Sequence, residues 1–302
     1  MREVTQEDYL NFIKNHTEVQ IENTKVKLHK NWVIKSFGPS SNYTPEKTTV
    51  WSFPDRGDWA THIGNYRGNW SPYVPRNLIL KYTKEGDMVL DQMVGSGTTL
   101  VECKLLNRNG IGVDINPHAI MVTLDRLNFS ADNLYNKAKE PIIKTYVGDA
   151  RNLDKIETES IDLVAFHPPY VNIIGYSNNL VEGDLSRIKN IKEYLEEIKK
   201  VAKESFRVLK PGKYCSVLIG ETRRHKHYVP VAARLLRVFL ETGFILKEDI
   251  IKLQWNTTTT RERWRGNNYD FYLIGHEHLF IFRKLGEGEK LTLFKESAFW
   301  EE

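Results

Sequence analysis

Four short apolar runs in the middle of the chain each break off at a chemically distinctive residue. Met88 to Asp91 and Ile111 to Asp114 stop at an aspartate, and Thr145 to Val147 is followed by Gly148-Asp149. The fourth, Ile161 to Phe166, runs straight into His167-Pro168-Pro169-Tyr170. Apolar runs of this length read as buried strands, and helical patterns separate them. A glycine turn over Gly95 to Thr99 opens a helix to about Leu106, and another helix follows Pro117. Ser186 is read as the cap of a long helix with Ile191, Tyr194, Leu195, Ile198, Val201 and Ala202 on one face, ended by Leu209-Lys210-Pro211-Gly212. Tyr214 to Ile219 is a fifth strand. Pro230 starts a further helix at its first position, closed by Gly243, and Phe244 to Leu253 and His278 to Phe282 are late strands. Strands alternating with helices predict an α/β fold: a doubly wound, mostly parallel sheet with an antiparallel late strand. Ligands of such sheets bind beyond the carboxyl ends of the strands, where the three aspartates and the His-Pro-Pro-Tyr run all fall.

The 302 residues suffice for one large domain or two ordinary ones. Thr5 with Asp8 forms a capping-box pattern for a short helix to His16. From Asn31 to Pro75 the chain is loop-rich and carries Trp32, Trp51, Trp59 and Trp70. These tryptophans pack the stretch onto the sheet or line a pocket. The expected division is a lead-in over 1–58 and a main unit over 59–302. No run reaches the ~18 apolar residues of a membrane span, and no leader is visible. Two cysteines, Cys103 and Cys215, cannot make a disulfide framework, so a reducing, cytoplasmic compartment is expected. The net charge of +4 permits an anionic partner without demonstrating one.

The first strand–turn–helix reads Asp91-Gln92-Met93-Val94-Gly95-Ser96-Gly97-Thr98-Thr99. Gly95 and Gly97 allow a sharp turn and close approach to a ligand, with a helix N-terminus behind them. No Gly-Lys-Ser/Thr follows, so it is not a P-loop, and Leu100 stands where the dinucleotide fingerprint needs its third glycine. Asp91 would repel a pyrophosphate and suits a cationic ligand. Asp114 is placed to accept both hydroxyls of a ribose, and Asp149 to accept from an adenine amino group. The pattern resembles the S-adenosylmethionine-dependent methyltransferases, more narrowly the DNA amino-methyltransferases, over roughly Trp59 to Arg283. The resemblance implies their Rossmann-like fold and S-adenosylmethionine as cofactor, held by Asp91, Gly95, Ser96, Gly97, Thr98, Thr99, Asp114, Ile115, Asp149 and Ala150. Ser71-Pro72-Tyr73-Val74-Pro75-Arg76 resembles the segment that closes over the methionine end, which implicates Tyr73 and Pro75.

His167-Pro168-Pro169-Tyr170 resembles the Asp/Asn/Ser/Thr-Pro-Pro-Tyr/Phe motif of enzymes that methylate exocyclic amino groups of bases. An aryl amine is a poor nucleophile because its lone pair is delocalised, and acceptors around it favour the pyramidal, attacking nitrogen. The resemblance makes the first side chain and the first proline carbonyl those acceptors, here His167 and Pro168. Pro169 stiffens the loop, and Tyr170 offers a face to a base rotated out of the duplex. Transfer is then direct, without a covalent enzyme–base intermediate. Carbon-5 methylation needs a thiolate, and neither cysteine sits beside a proline in a candidate loop. Histidine departs from the motif: Asp or Asn accompanies adenine-N6 enzymes, Ser or Thr cytosine-N4 enzymes. Only neutral imidazole can accept, so activity is expected to fall below about pH 6. The uncharged side chain tips the reading towards cytosine.

Arg223 and Arg224 follow the fifth strand, and Arg261, Arg263 and Arg265 lie in a polar loop near 254–270 with Thr257 to Thr260 and Asn267-Asn268. Arginine with threonine and asparagine suits phosphate anchoring and base-edge reading. Both clusters are candidate contacts to double-stranded DNA. No separate recognition domain is evident, so the target is short or the enzyme works as a homodimer; a cognate restriction endonuclease is the other partner the resemblance implies. No metal site is expected from the His225/His227 and His276/His278 pairs, which lack further ligands. The rival readings are an RNA guanine-N2 methyltransferase, a non-catalytic nucleic-acid-binding protein and, disfavoured by Leu100, a nicotinamide dehydrogenase.

Overall fold

The computed structural model describes residues 1–21, 24–66, 68–130, 140–170, 181–255 and 270–299. Among them a nine-stranded sheet carries the fold. Its strands are β1 (Arg2–Val4), β4 (Val50–Trp51), β5 (Met88–Asp91), β6 (Asn109–Asp114), β7 (Ile143–Val147), β8 (Ile161–Phe166), β9 (Leu209–Gly220), β12 (Ile245–Leu253) and β13 (His276–Arg283). Two hairpins stand apart, β2 (Glu18–Ile21) with β3 (Thr24–Lys27) and β10 (Thr222–Arg224) with β11 (His227–Val229). The sheet order is β1-β7-β6-β5-β8-β9-β13-β12-β4. Strands β5 to β9 are parallel, and β13 runs antiparallel between β9 and β12. The doubly wound sheet with an antiparallel late strand is therefore what the chain forms.

The order reverses at β5: the chain steps outward through β6 and β7, then returns to place β8 on the other side of β5. Such a switch point opens a crevice at the carboxyl ends of the strands. Helices α1 (Gln6–Phe12), α3 (Thr98–Leu105) and α4 (Pro117–Leu127) share one apolar cluster, while α2 (Tyr73–Tyr82) covers the sheet around Val89, Leu163 and Leu218. Helices α5 (Ile191–Val208) and α6 (Val231–Glu241) pack Tyr194, Ile198, Leu235 and Phe239 against Val164, Phe166, Val217 and Phe282. Strand β8 is buried at all six positions, as a central parallel strand covered on both faces must be.

Several boundaries differ from the sequence reading. The cap of α5 is Asn190, whose side chain accepts from the Lys192 N–H; Ser186 lies in a separate 3-10 turn, Leu185–Arg187, capped by Asp184. Leu209-Lys210-Pro211-Gly212 does not follow the helix as a loop but begins β9, with Lys210 paired to Asp162 at 2.8 Å. Pro230 is the residue before α6, and Glu221 caps that helix instead, accepting from the N–H groups of Val231 and Ala232. The capping box of Thr5 and Asp8 forms as read. The stretch 1–58 supplies both edge strands, β1 and β4, so the lead-in is built into the same sheet as the rest.

Candidate active site

The carboxyl ends of β5, β6, β7 and β8 surround a cavity of about 840 Å³, counting the part open to solvent. Its walls include Asp91, Gly95, Ser96 and Thr98 after β5, Asp114, Ile115 and Asn116 after β6, Asp149 and Ala150 after β7, and His167 and Pro169 after β8. Gly183 and Asp184 close one side; Tyr66, Gly68, Asn69 and Trp70 close another.

The turn after β5 is held by its own aspartate. Asp91 is buried and accepts from Thr99 Oγ1 at 2.5 Å and from the Met93 N–H at 3.1 Å. Asp114 accepts from the N–H groups of Gly95 and Asn116, which ties the glycine turn to the end of β6. Burial, aided by Asp114, pushes Asp91 up to about 7, against the pull of its hydrogen bonds. Burial likewise raises Asp114 to about 6. Two buried carboxyls raised in this way, with no countercharge paired to them among the described residues, favour a cationic ligand. Gly97 has φ +81°, and a Cβ there would meet Thr123 of α4 at 2.9 Å, so only glycine fits between the two helices.

Three cavity-lining residues, Thr98 in the first turn of α3, Gln92 and His167, each carry a buried polar atom (Oγ1, Oε1 and Nδ1) without a hydrogen-bond partner among the described residues. An orphaned hydroxyl at a helix N-terminus and a surplus of carboxylates fit a ligand with both anionic and cationic groups. An amino-acid sulfonium such as S-adenosylmethionine has that character.

Not every residue expected to hold the cofactor lines the cavity. Gly97 and Thr99 act from behind it, through the turn and Asp91. Tyr73 and Pro75 lie in α2: the Tyr73 ring stacks on Phe53 at 5.1 Å, and Pro75 is buried. The nearby upstream residues Tyr66, Gly68, Asn69 and Trp70 occupy the wall instead. Asp149 is on the wall, but its carboxylate is chelated by Arg151, which also pairs with Glu197. Asp184, which the sequence reading did not single out, adds another carboxylate. Trp51, Trp59 and Trp70 are all buried in the core, and Trp70 also lines the cavity, with its ring nearly parallel to that of His167, 6.1 Å away.

The loop after β8 is pinned from two directions. Tyr194 of α5 donates to the Pro169 carbonyl at 2.9 Å. The Tyr170 ring lies against Gly220 at the end of β9, where a Cβ would come within 2.7 Å of it. His167 Nε2 is 2.7 Å from Tyr170 Oη, and Tyr170 donates to Glu277 Oε1 at 2.5 Å. Lys252 donates to Glu277 Oε2 at 2.7 Å. Burial, with a push from Lys252, lowers His167 to about 4, against the opposing pull of Glu277 and the Gly68 backbone. The imidazole is therefore neutral well below pH 6, and the expected onset of its protonation moves down accordingly. Sequence reasoning missed Glu277 and Lys252; a glutamate inside the apolar strand His276–Arg283 was the available signal.

Of the basic residues, Arg223 is largely spent on structure. It donates to the carbonyls of Lys226 and Tyr272 and lies over the Phe271 ring at 4.6 Å. Arg224 donates to the Lys189 carbonyl. Both sit just past the carboxyl end of β9, on the cavity side of the sheet. Arg261, Arg263 and Arg265 lie outside the described residues. Both cysteines are buried, and burial raises each thiol, so neither is a ready nucleophile. Among the described residues no three or more His, Cys, Asp or Glu side chains converge as a metal site, and no helix is long and apolar enough to cross a membrane.

The chain is 38% identical over 88 residues to the type II methyltransferase M.HpaI of Haemophilus parainfluenzae, covering 27% of this chain and 26% of that protein. It is 30% identical over 86 residues to M.MjaII of Methanocaldococcus jannaschii, covering 26% and 16%. The matched stretches thus span about a quarter or less of these relatives' own lengths. A SAM-dependent methyltransferase from Methanosarcina mazei is similar in structure at a TM-score of 0.48 and 19% identity, over 70% of this chain and 98% of that one. The family pattern described as DNA methylase matches residues 4–125 and 161–297, which hold the β5 and β6 ends, the His-Pro-Pro-Tyr loop and Glu277. With most of the chain inside that match, the protein belongs to the DNA methylase family.

Proposed function

We propose that this protein transfers a methyl group from S-adenosylmethionine to an exocyclic amino group of a base in double-stranded DNA, cytosine-N4 in preference to adenine-N6. The observation that carries this reading is the position of neutral His167, on the same wall as Pro169 and Trp70, in a cavity whose other side is acidic. When bound, S-adenosylmethionine supplies an electrophilic methyl group on a sulfonium. Asp91 and Asp114 supply the negative charge that favours a cationic ligand, and Asp114 keeps lone pairs for ribose hydroxyls. Thr98, Ser96 and the α3 N-terminus would hold the anionic end, and Ile115 and Ala150 the adenine, with Asp149 as an acceptor already shared with Arg151. Gly95, Gly97 and Thr99 shape the turn; Tyr73 and Pro75 support it through α2.

His167 accepts from the target amino group, Pro168 offers its carbonyl beside it, and Pro169 and Tyr170 hold the loop rigid. Trp70 supplies an aromatic surface next to His167 for a base taken out of the stack. The uncharged acceptor supports cytosine-N4; adenine-N6 is the other outcome of the same site. Arg223 and Arg224, on the hairpin past β9, and Arg261, Arg263 and Arg265 are the proposed DNA contacts. The unit over 59–302 would carry cofactor, base and DNA contacts, while 1–58 closes the sheet edges. A homodimer and a cognate endonuclease remain proposals of the same reading, as does a cytoplasmic location.

Nucleoside mass spectrometry of duplex DNA incubated with the protein and S-adenosylmethionine tests this directly, with RNA in parallel. N4-methylcytosine is the expected product, and N6-methyladenine would reassign the base. Methylation of RNA alone would overturn the DNA substrate.

A further inference from the structure

At the carboxyl end of the sheet, one row crosses three strands. Lys252 on β12 is in register with Glu277 on β13, and Glu277 is in register with Gly220 on β9. Because Gly220 has no side chain, the Tyr170 ring fits against it, with its hydroxyl 2.5 Å from Glu277. The row continues through that hydroxyl to His167 Nε2, 2.7 Å away. Four polar side chains from three separate parts of the chain thus form one connected line ending at the cavity wall.

The line has a direction. Lys252 donates to Glu277 and holds its carboxyl ionised in spite of burial. An ionised carboxylate only accepts, so the single hydroxyl proton of Tyr170 is committed to Glu277. Tyr170 Oη can then only accept from His167, which requires the proton on Nε2. A neutral imidazole with its proton on Nε2 has a lone pair on Nδ1. That atom is buried and has no partner at ordinary hydrogen-bond distance and angle among the described residues, and the Gly68 backbone beside the ring favours the protonated form. A buried ion pair is a costly way to fill space, since apolar residues of similar volume are often as stable or more so.

We propose that Glu277, paired with Lys252, is a positioning residue that acts through Tyr170 to fix His167 as the Nε2–H tautomer and present Nδ1 as the acceptor for the target amino group. The role of Nδ1 rests on the methyl-transfer reading above; the tautomer does not. The groups facing His167 are Tyr170 on its own loop, Glu277 from β13, Lys252 from β12, and Trp70 and Gly68 from the segment before α2.

The test is nitrogen-15 NMR on the full chain labelled at histidine, with the His167 signals assigned by their loss in His167→Gln. The expected spectrum has a pyrrole-like Nε2 and a pyridine-like Nδ1 at neutral pH. A pyrrole-like Nδ1 overturns the proposal. The second measurement is the pH dependence of kcat for Lys252→Met, with Lys252→Arg as the charge-preserving control. Without the ammonium, burial raises Glu277, which takes up a proton as the pH falls and becomes a donor to Tyr170. Tyr170 then donates to Nε2 and the ring proton moves to Nδ1.

Lys252→Met should therefore lose kcat at a higher pH than the wild type, by at least about tenfold at the acid end, with KM for DNA and cofactor affinity unchanged. Lys252→Arg should restore the wild-type profile. An unshifted profile in Lys252→Met, or an equal loss in KM and kcat at every pH, overturns the relay. A pyridine-like Nδ1 in a protein that methylates no nucleic acid would leave the relay standing and sink the methyl-transfer reading. An active enzyme with a pyrrole-like Nδ1 would do the reverse.

Discussion

Trp59 Nε1 donates to Glu102 Oε1 across 2.7 Å, joining the aromatic lead-in to the helix that carries the glycine turn. The same fully buried carboxylate accepts from His62 Nε2 at 2.8 Å and from Arg76 Nη1 at 2.8 Å. One side chain of α3 thereby holds the segment before the cavity wall and the first turns of α2.

Glu102→Ala would leave a buried Trp59 N–H, His62 and the Arg76 guanidinium without their acceptor. Stability should fall by about 3–5 kcal/mol, the usual cost of breaking a buried charged network from one side. Urea unfolding should show a lower midpoint with the slope unchanged. A loss under about 1 kcal/mol would mean that solvent reaches this cluster.

Asp91 and Asp114 predict how the methyl donor's affinity responds to pH. In the free protein they are raised to about 7 and about 6, and the ionised forms bind a sulfonium. Affinity should therefore rise with pH through this range, by up to about tenfold per unit for each carboxyl, and level off above it. The sign for stability is opposite: raised carboxyls help the free fold at low pH, and that help is lost as pH rises through about 7. The thermal shift produced by saturating donor should accordingly grow from pH 5.5 to 8.5. Calorimetric titration of Asp91→Asn should show a flatter profile and weaker binding above pH 8.

His167, lowered to about 4, should leave kcat flat from neutral pH down to about 5, with any acid limb from this residue below that. The expectation of a fall below about pH 6, taken from an ordinary histidine, is corrected by the burial of this one. His167→Ala should cost on the order of a hundredfold in kcat, the scale of one hydrogen bond aimed at the reacting group in a dry site. Single-turnover assays at saturating donor and DNA measure both.

Gly220→Ala places a methyl group within 2.7 Å of the Tyr170 ring, closer than non-bonded atoms can approach. The ring must shift, stretching its contact with His167. Expected is a fall in kcat of about tenfold, with donor affinity unchanged and a stability loss of about 1–3 kcal/mol from overpacking. Unchanged kcat would show that Tyr170 need not sit where it does.

Arg261→Ala or Arg263→Ala should weaken DNA binding across sequences and reduce the salt slope by about one unit per lost phosphate contact, leaving donor affinity intact. Equal loss of donor binding would place that loop at the cofactor instead. Arg223→Ala should weaken DNA binding as well and, in addition, loosen the 222–229 hairpin and the chain near Tyr272 that it holds.

Short-range information was enough for the parallel strands, the helices between them and the acids at the strand ends. Strands β5 and β8 carry their burial in consecutive apolar residues, and Gly95 and Gly97 announce a turn that side chains would forbid. The edge strands β1 and β4 and the two hairpins were not legible, because segments of two to four residues form only when a partner offers its free N–H and C=O groups. The helix caps moved for a similar reason: Glu221, ten residues upstream, supplies the acceptor that α6 lacks locally.

His167 shows the division most clearly. Sequence placed it after a buried strand and beside two prolines, and so gave it a place in the site. Its protonation state depends on burial, and its hydrogen-bond direction depends on Glu277, 107 residues beyond Tyr170 along the chain. Periodicity and turn chemistry are local properties that a sequence displays directly. The charge and direction of a buried polar group are set by whatever folding brings next to it, and only the tertiary structure decides that.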